Sequence, residues 1–187
     1  KGIYGKTKLK GEKIIKKKLK KFNINYAILR YFNVVGASSS KKIGPLKIND
    51  TLFKNISYNL QLKFPIIKIY GNNFNTKDGT CIRDFIHVSD LSNIHILIMK
   101  KIEKNKKSLI LNCGYGNGFS VKQVVDRFIK ISKKKTRIKI LNKRPADIES
   151  SIADNCKLKK EIRWKPKFNN LNLIIKSCLN WERKINN

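Results

Sequence analysis

The chain of 187 residues is long enough for one well-packed core and a small second lobe. Its hydrophobic content of 41% excludes a disordered chain, and no apolar run approaches the roughly 20 residues that a bilayer span needs, so we expect no membrane association. The net charge of +31 is typical of nucleic-acid-binding proteins. Most of the charge comes from lysines scattered along nearly every exposed face, however, so we expect only weak, non-specific polyanion binding at low salt.

The four cysteines lie far apart and show no spacing that is typical of metal ligands. Their positions are Cys81, Cys113, Cys156 and Cys178. The sequence therefore predicts no metal site and a reduced, cytoplasmic setting.

The first part of the chain predicts alternating helices and strands. Residues 1–22 predict a helix, and residues 26–32 form a β-rich run of strand length. The pattern loosens over residues 33–65, although residues 50–62 again predict a helix, and a short strand comes next at 66–70. The apolar side of the first helix consists of Leu9, Ile15, Leu19 and Phe22.

The second part continues this alternation. Ser89 or Asp90 is expected to cap one amphipathic helix, and Ser120 is expected to cap a second one. Residues 170–185 predict the last helix. Further strands are predicted at residues 108–113 and 137–141. No linker is long enough to divide the chain, and the alternation of strands and helices predicts an α/β fold.

Residues 77–91 are the segment of the sequence that most clearly indicates a functional site. Asp78 and Gly79 predict a turn, and an aromatic and apolar run ending at His87 predicts a buried strand. Arg83 lies at the edge of this strand, where its guanidinium could bind a phosphate through two hydrogen bonds. We interpret His87 as a structural histidine and the glycines between Gly114 and Gly118 as a turn.

Tyr4 and Lys8 form a Tyr-x-x-x-Lys motif, which places both side chains on one face of the first helix. An ammonium beside a phenol favours the phenolate, as a general base requires. Because a lysine-rich chain forms this motif by chance, the motif indicates a function only if further motifs of the same kind of protein accompany it.

Four such motifs come after it in order: Leu-Arg-Tyr-Phe-Asn at 29–33, Ile-Tyr-Gly-Asn at 69–72, Asp-Gly-Thr-Cys-Ile-Arg-Asp-Phe-Ile-His-Val at 78–88, and Arg-Pro-Ala-Asp at 144–147. With the Tyr-x-x-x-Lys motif, this set resembles the extended short-chain dehydrogenase/reductases, and among them most closely the UDP-glucose 4-epimerases. The resemblance covers essentially the whole chain. It corresponds to the part of the family from the catalytic tyrosine to the C-terminus.

The resemblance implies an α/β fold made of the C-terminal part of an NAD(P)-binding Rossmann fold and a small α/β substrate-binding lobe. Residues 1–33 would end the Rossmann domain, residues 34–187 would mainly form the nucleotide-sugar-binding lobe, and residues 78–115 would return to the Rossmann domain. It also implies epimerisation at C4 of a UDP-hexose through a transient 4-keto sugar, with NAD as the cofactor. A homodimer is expected for the full-length protein, through an interface that includes the first helix.

The resemblance also implies roles for individual residues. Tyr4 and Lys8 would be catalytic and would contact NAD, and Tyr31 and Phe32 would line the nicotinamide. The substrate-binding residues would be Asn33 and Thr51 with Leu52 near the sugar, Ile69 and Tyr70 at the uracil, Arg83 and Arg144 at the diphosphate, Asp147 at the ribose hydroxyls, and Ser151 beside the sugar. From the residues alone, Tyr31 and Phe32 could equally be core aromatics, and Asn33 could simply end a strand.

The chain departs from the family pattern at several positions. It contains no Gly-rich dinucleotide-binding loop, which in the family precedes the catalytic tyrosine, so we expect the 187 residues to be inactive alone. Ala146 replaces a usual glycine, Phe85 a common tyrosine, and Asp50 begins a stretch where amide or histidine side chains often contact substrate. Ser151 stands where some relatives carry tyrosine, which predicts room for an N-acetyl group.

Three alternatives stay open from the sequence. The protein could be another nucleotide-sugar enzyme of the family, namely a UDP-glucuronate epimerase or a 4,6-dehydratase. It could be a basic nucleic-acid-binding module, although the even scatter of lysine argues against this. It could also be a truncated reading frame without an independent function.

Overall fold

The computed structural model describes residues 2–46, 51–145 and 147–186. The helices in these ranges are α1 (Ile3–Lys21), α2 (Leu52–Asn59), α3 (Val88–Asn105), α4 (Val121–Ser132), α5 (Cys156–Glu161) and α6 (Leu171–Asn186). The strands are β1 (Ala27–Tyr31), β2 (Asn33–Val35), β3 (Ile66–Tyr70), β4 (Ile82–His87), β5 (Leu109–Cys113), β6 (Gly118–Ser120), β7 (Arg137–Leu141) and β8 (Ser150–Ser151). The predicted α/β class is confirmed.

The strands form three small sheets. Strand β1 pairs with β5 and β3 pairs with β7, both in parallel. In the third sheet, β4 pairs in parallel with β2 and β8 and antiparallel with β6. The prediction of one strand over residues 26–32 was wrong at its end, because the chain changes partner after Tyr31, from β5 to β4, and begins a second strand at Asn33.

The amphipathic helices α3, α4 and α6 supply much of the core. Their predicted apolar faces are buried at Leu91, Ile94 and Ile98, at Val124, Val125 and Phe128, and at Leu171, Ile174, Ile175, Cys178 and Leu179. Helix α1 differs because none of its described residues is buried, and Leu9, Ile15 and the adjoining Phe22 are exposed. A bidentate ion pair from Arg30 to Glu12, at 2.8 and 2.7 Å, connects it to β1.

The start of α3 corrects one prediction. Neither Ser89 nor Asp90 caps this helix; the N-cap is His87, whose side chain accepts a hydrogen bond from the backbone N–H of Ser89. The Asp90 carboxylate instead accepts hydrogen bonds from the Tyr115 hydroxyl and from two backbone N–H groups, those of Lys167 and Phe168. The predicted cap of α4 is confirmed, since Ser120 and Gln123 form a capping box.

A buried ion pair fixes α2 against α6. The Lys54 ammonium lies 2.5 Å from the Glu182 carboxylate, with both side chains almost fully buried, and also donates to the Pro45 carbonyl at 3.0 Å. Removing one partner of such a pair leaves an uncompensated buried charge and costs about 3–5 kcal/mol. The position of α2 is therefore strongly fixed.

All four cysteines are free thiols. Among the described residues, no group of histidine, cysteine, aspartate and glutamate side chains could hold a metal ion. Within the same residues, no helix is both long and apolar enough to cross a membrane.

His87 is fully buried, which supports the structural role predicted for it. Its ring stacks on Phe168 with centroids 4.1 Å apart, and its Nε2 lies 3.3 Å from the Ser177 hydroxyl. Burial lowers the pKa of His87, and the nearby Asp90 carboxylate opposes this only in part. The unfolded chain therefore binds a proton more readily than the folded chain below about pH 6.5.

We predict that the free energy of unfolding falls as the pH drops from about 6.5 towards 5, by at most about 1.4 kcal/mol per pH unit from this residue. His87→Gln should be less stable than the wild type at neutral pH, because it loses the cap and the stacking, but should lose this part of the pH dependence, so that the difference becomes smaller as the pH falls. Urea unfolding at several pH values measures both effects. An unchanged slope in the variant would show that another group is responsible.

Candidate functional site

A cavity of about 690 Å³ lies between α2, the strands β2, β3 and β4, and the segment after β7. Its volume is in the usual range for ligand pockets. Eight residues predicted as cofactor or substrate contacts line it: Phe32, Asn33, Thr51, Leu52, Tyr70, Arg83, Arg144 and Asp147.

Arg83 is held in place on two sides. Its Nη1 donates to the carbonyl of Ile82 at 2.8 Å, and its Nη2 lies 3.7 Å from the Asp147 carboxylate. Both side chains are largely shielded, with 15% and 29% of their surface exposed. A partly desolvated guanidinium with one loosely held carboxylate partner retains donors for an anionic ligand.

Arg144 approaches the same cavity from the segment after β7. Its guanidinium lies 4.0 Å from the centroid of the Tyr70 ring, a cation–π contact that orients its planar group. Although 61 positions separate them (144 − 83), Arg83 and Arg144 line one cavity.

Asp84, the residue after Arg83, anchors strand β4 on the face opposite the cavity. Its carboxylate is fully buried and accepts hydrogen bonds from the backbone N–H groups of Tyr115, Gly116 and Ala153, at 3.1, 2.8 and 3.2 Å. Burial raises the pKa of Asp84, and these three hydrogen bonds oppose that rise. At the cavity wall, burial also raises the pKa of the Cys81 thiol, which keeps it a neutral contact.

Three of the predicted cofactor contacts lie elsewhere. Tyr4 is 76% exposed on α1, with the Lys8 ammonium 5.3 Å from its ring centroid, and neither residue is among those lining the cavity. Tyr31 is also absent from the lining, and its hydroxyl lies 2.7 Å from Nε2 of His95. The catalytic and cofactor roles of these residues stay predictions.

Two predicted substrate contacts also lie outside the lining. Ile69 is 4% exposed and packs in the core, whereas its neighbours Lys68 and Tyr70 line the cavity. Ser151 lies opposite Arg83 in the pairing of β8 with β4 and is therefore next to the cavity. Asp50 and Ala146, at which the chain departs from the family pattern, lie outside the described residues.

Asn55 and Asn59, which line the cavity from α2, were not predicted from the sequence. The sequence signal that could have identified these two residues is their spacing from Thr51. Three polar residues four positions apart on a predicted helix share one face, and the rest of that helix is largely apolar.

Both the sequence and the fold are similar to those of known proteins. Residues 1–114 match the NAD dependent epimerase/dehydratase family. A UDP-glucose 4-epimerase from Azospirillum brasilense is 35% identical over 183 residues, which are 97% of this chain and 53% of that protein. A solved structure of UDP-glucose-4-epimerase from Stenotrophomonas maltophila, with bound NAD and formylated UDP-arabinopyranose, has 31% identity and a TM-score of 0.91 over 98% of this chain and 55% of that one.

A second solved structure is the UDP-Glc/GlcNAc 4-epimerase from Campylobacter jejuni, with 36% identity and a TM-score of 0.77 over 97% of this chain and 55% of that one. The chain thus spans about half the length of the relatives that it matches. Since the family match covers more than half of its residues, the chain belongs to the NAD dependent epimerase/dehydratase family.

Proposed function

We propose that this chain forms the substrate-binding part of an NAD-dependent epimerase acting at C4 of a UDP-hexose, either UDP-glucose or UDP-galactose. The observation that carries the proposal is the meeting of Arg83, Arg144 and Asp147 in one cavity. Two guanidiniums match the two phosphates of a nucleoside diphosphate, and one carboxylate matches the vicinal hydroxyls of its ribose.

Substrate binding would rearrange the charges of the site. The Asp147 carboxylate is 3.7 Å from Arg83, so the entering diphosphate competes with it for the guanidinium. Asp147 is then released to accept hydrogen bonds from the ribose. Asn33, whose side-chain nitrogen donates to the Asp84 carbonyl at 3.1 Å, keeps its side-chain oxygen for a sugar hydroxyl.

On α1, Tyr4 and Lys8 are residue types that suit a reaction with NAD as the cofactor. NAD supplies the group that accepts a hydride from C4 of the sugar and returns it. Tyr4 would remove the proton from the 4-hydroxyl and later restore it, and Lys8, whose ammonium lies over the ring of Tyr4, would contact the cofactor. The exposure of both side chains leaves them open to a cofactor.

The remaining predictions belong to the same proposal. We propose that residues 1–33 and 78–115 are part of a Rossmann domain, which the pairing of β1 with β5 supports. The exposed Leu9, Ile15 and Phe22 support a homodimer interface that includes α1. The free thiols support a cytoplasmic setting.

The binding part of the proposal predicts that Arg83→Gln and Arg144→Gln each weaken UDP binding about ten- to a hundredfold, because each removes charged hydrogen bonds to phosphate. Calorimetric titration at about 150 mM salt, which suppresses non-specific binding, measures this. Arg163→Gln, at an exposed position, makes the same change of charge and should have little effect. An equal loss in all three variants would indicate non-specific polyanion binding instead.

The catalytic part can be tested in a chimera in which this chain is joined after the half of the A. brasilense enzyme that it does not match. We expect the chimera to convert UDP-galactose to UDP-glucose and the 187 residues alone to be inactive. Tyr4→Phe should lower kcat about 10²- to 10⁴-fold with little change in KM, because it removes the proton-transferring group. Tyr58→Phe is the matched control. Wild-type turnover in the Tyr4 variant would contradict the proposed role.

UDP-N-acetylhexosamines are proposed as a second substrate class. The small Ser151 side chain next to Arg83 supports this, as does the similarity to the C. jejuni protein, whose name includes UDP-GlcNAc. We predict that Ser151→Tyr weakens binding of UDP-GlcNAc about tenfold or more while UDP-glucose binding changes little, because the larger ring fills the space of the acetyl group. Ser151→Ala should keep both affinities. Rejection of UDP-GlcNAc by the wild type would remove the proposal.

A further inference from the structure

Helix α2 presents a polar stripe to the cavity. Thr51, Asn55 and Asn59 line the cavity at intervals of four residues, beside the apolar Leu52, Phe53 and Ile56, while Leu60 is buried in the core. At a rise of 1.5 Å per residue, the stripe is about 12 Å long. Its two ends can therefore contact different parts of one extended ligand.

The two ends of the stripe lie near different strands. Thr51 lies near β2, because Thr51, Val34 and Val35 line both this cavity and a smaller one beside it. Asn59 ends α2, and a short connection leads from it to Ile66 at the start of β3, and Ile66, Lys68 and Tyr70 of this strand line the cavity as well. Asn59 is thus at the β3 end of the cavity.

The side-chain amide of Asn59 has a fixed orientation. Its Nδ2 lies 2.8 Å from the backbone carbonyl of Asn55, which can only accept a hydrogen bond, so the nitrogen must face it. The Oδ1 atom has no hydrogen-bond partner within residues 2–46, 51–145 and 147–186. The half-buried amide therefore offers an oriented acceptor to a ligand.

We infer that Asn59 Oδ1 accepts a hydrogen bond from the imide N–H of a uracil ring, which makes Asn59 a determinant of uridine over cytidine nucleotides. The inference rests on the proposed function and on the uracil position at Ile69 and Tyr70 that the family resemblance implies. Cytosine carries a lone pair at the same ring position, so that two acceptors would face each other. An oriented polar group discriminates between ligands because the wrong ligand leaves it unpaired.

The experiment compares the affinities of UDP and CDP for the 187-residue chain by calorimetric titration at about 150 mM salt. The wild type should prefer UDP by about tenfold, the value of one hydrogen bond. Asn59→Leu removes the acceptor with little change of shape and should bring the ratio close to one. Asn59→Asp keeps an acceptor and should keep the preference, although its charge weakens the binding of both nucleotides. Asn59→Ala also lacks the acceptor and replaces the leucine variant if that variant does not fold.

Gln61→Leu is the matched control, because Gln61 makes the same kind of bond, from Nε2 to the carbonyl of Ser57 at 3.0 Å, without lining the cavity. It should keep the wild-type ratio. Equal binding of UDP and CDP by the wild type, or an undiminished preference in Asn59→Leu, would overturn this inference alone. Absence of UDP binding, or UDP binding that Arg83→Gln and Arg144→Gln leave unchanged, would overturn the proposed function and this inference with it.

Discussion

The buried carboxylate of Asp84 is the contact on which the site depends. Moving an ionised carboxylate out of water is unfavourable unless hydrogen bonds replace its hydration, and here three backbone N–H groups replace part of it. These groups belong to two segments, one after β5 and one after β8, which are distant in sequence. The turn after β5 can approach this closely because residue 114 is glycine: a Cβ there would lie 2.6 Å from the carboxylate oxygen. One side chain thus joins three parts of the chain.

The direction of Arg83 is a consequence of this contact. Successive side chains of a strand point to opposite faces, so fixing Asp84 on the inner face of β4 directs Arg83 to the other face, towards the cavity. The same carboxylate accepts a hydrogen bond from the backbone N–H of Ala153. The residues just before Ala153 form β8, which pairs in parallel with β4 and places Ser151 opposite Arg83. The Asp84 carbonyl also holds the amide of Asn33. Arg83, Asn33 and Ser151 are therefore positioned by one common support.

The sequence predicts those features that local periodicity determines. The apolar faces of α3, α4 and α6, the cap formed by Ser120 and the α/β class all depend on patterns within local segments. The prediction that Arg83 and Arg144 belong to one site depended on the resemblance to the family, because no local pattern relates residues so far apart. The cap formed by His87, the burial of Asp84 and the separate strand β2 were not predicted. Each depends on a partner brought near only by folding, and a carboxylate within Arg-Asp-Phe has no local sign of being buried.

The high lysine content does not account for the proposed recognition of a diphosphate. At physiological salt, an exposed charge acts over about 8 Å, so scattered lysines attract anions in general without selecting one. Selection needs donors in a fixed geometry with restricted access to water, because there each hydrogen bond is stronger and each unpaired group more costly. Arg83 meets both parts of this condition, because it is largely shielded and is held by the Ile82 carbonyl and Asp147, whereas Arg144 is exposed and is oriented by its contact with the Tyr70 ring. Seven arginines among 43 basic residues are few, so the position of two of them in one cavity is more informative than the net charge.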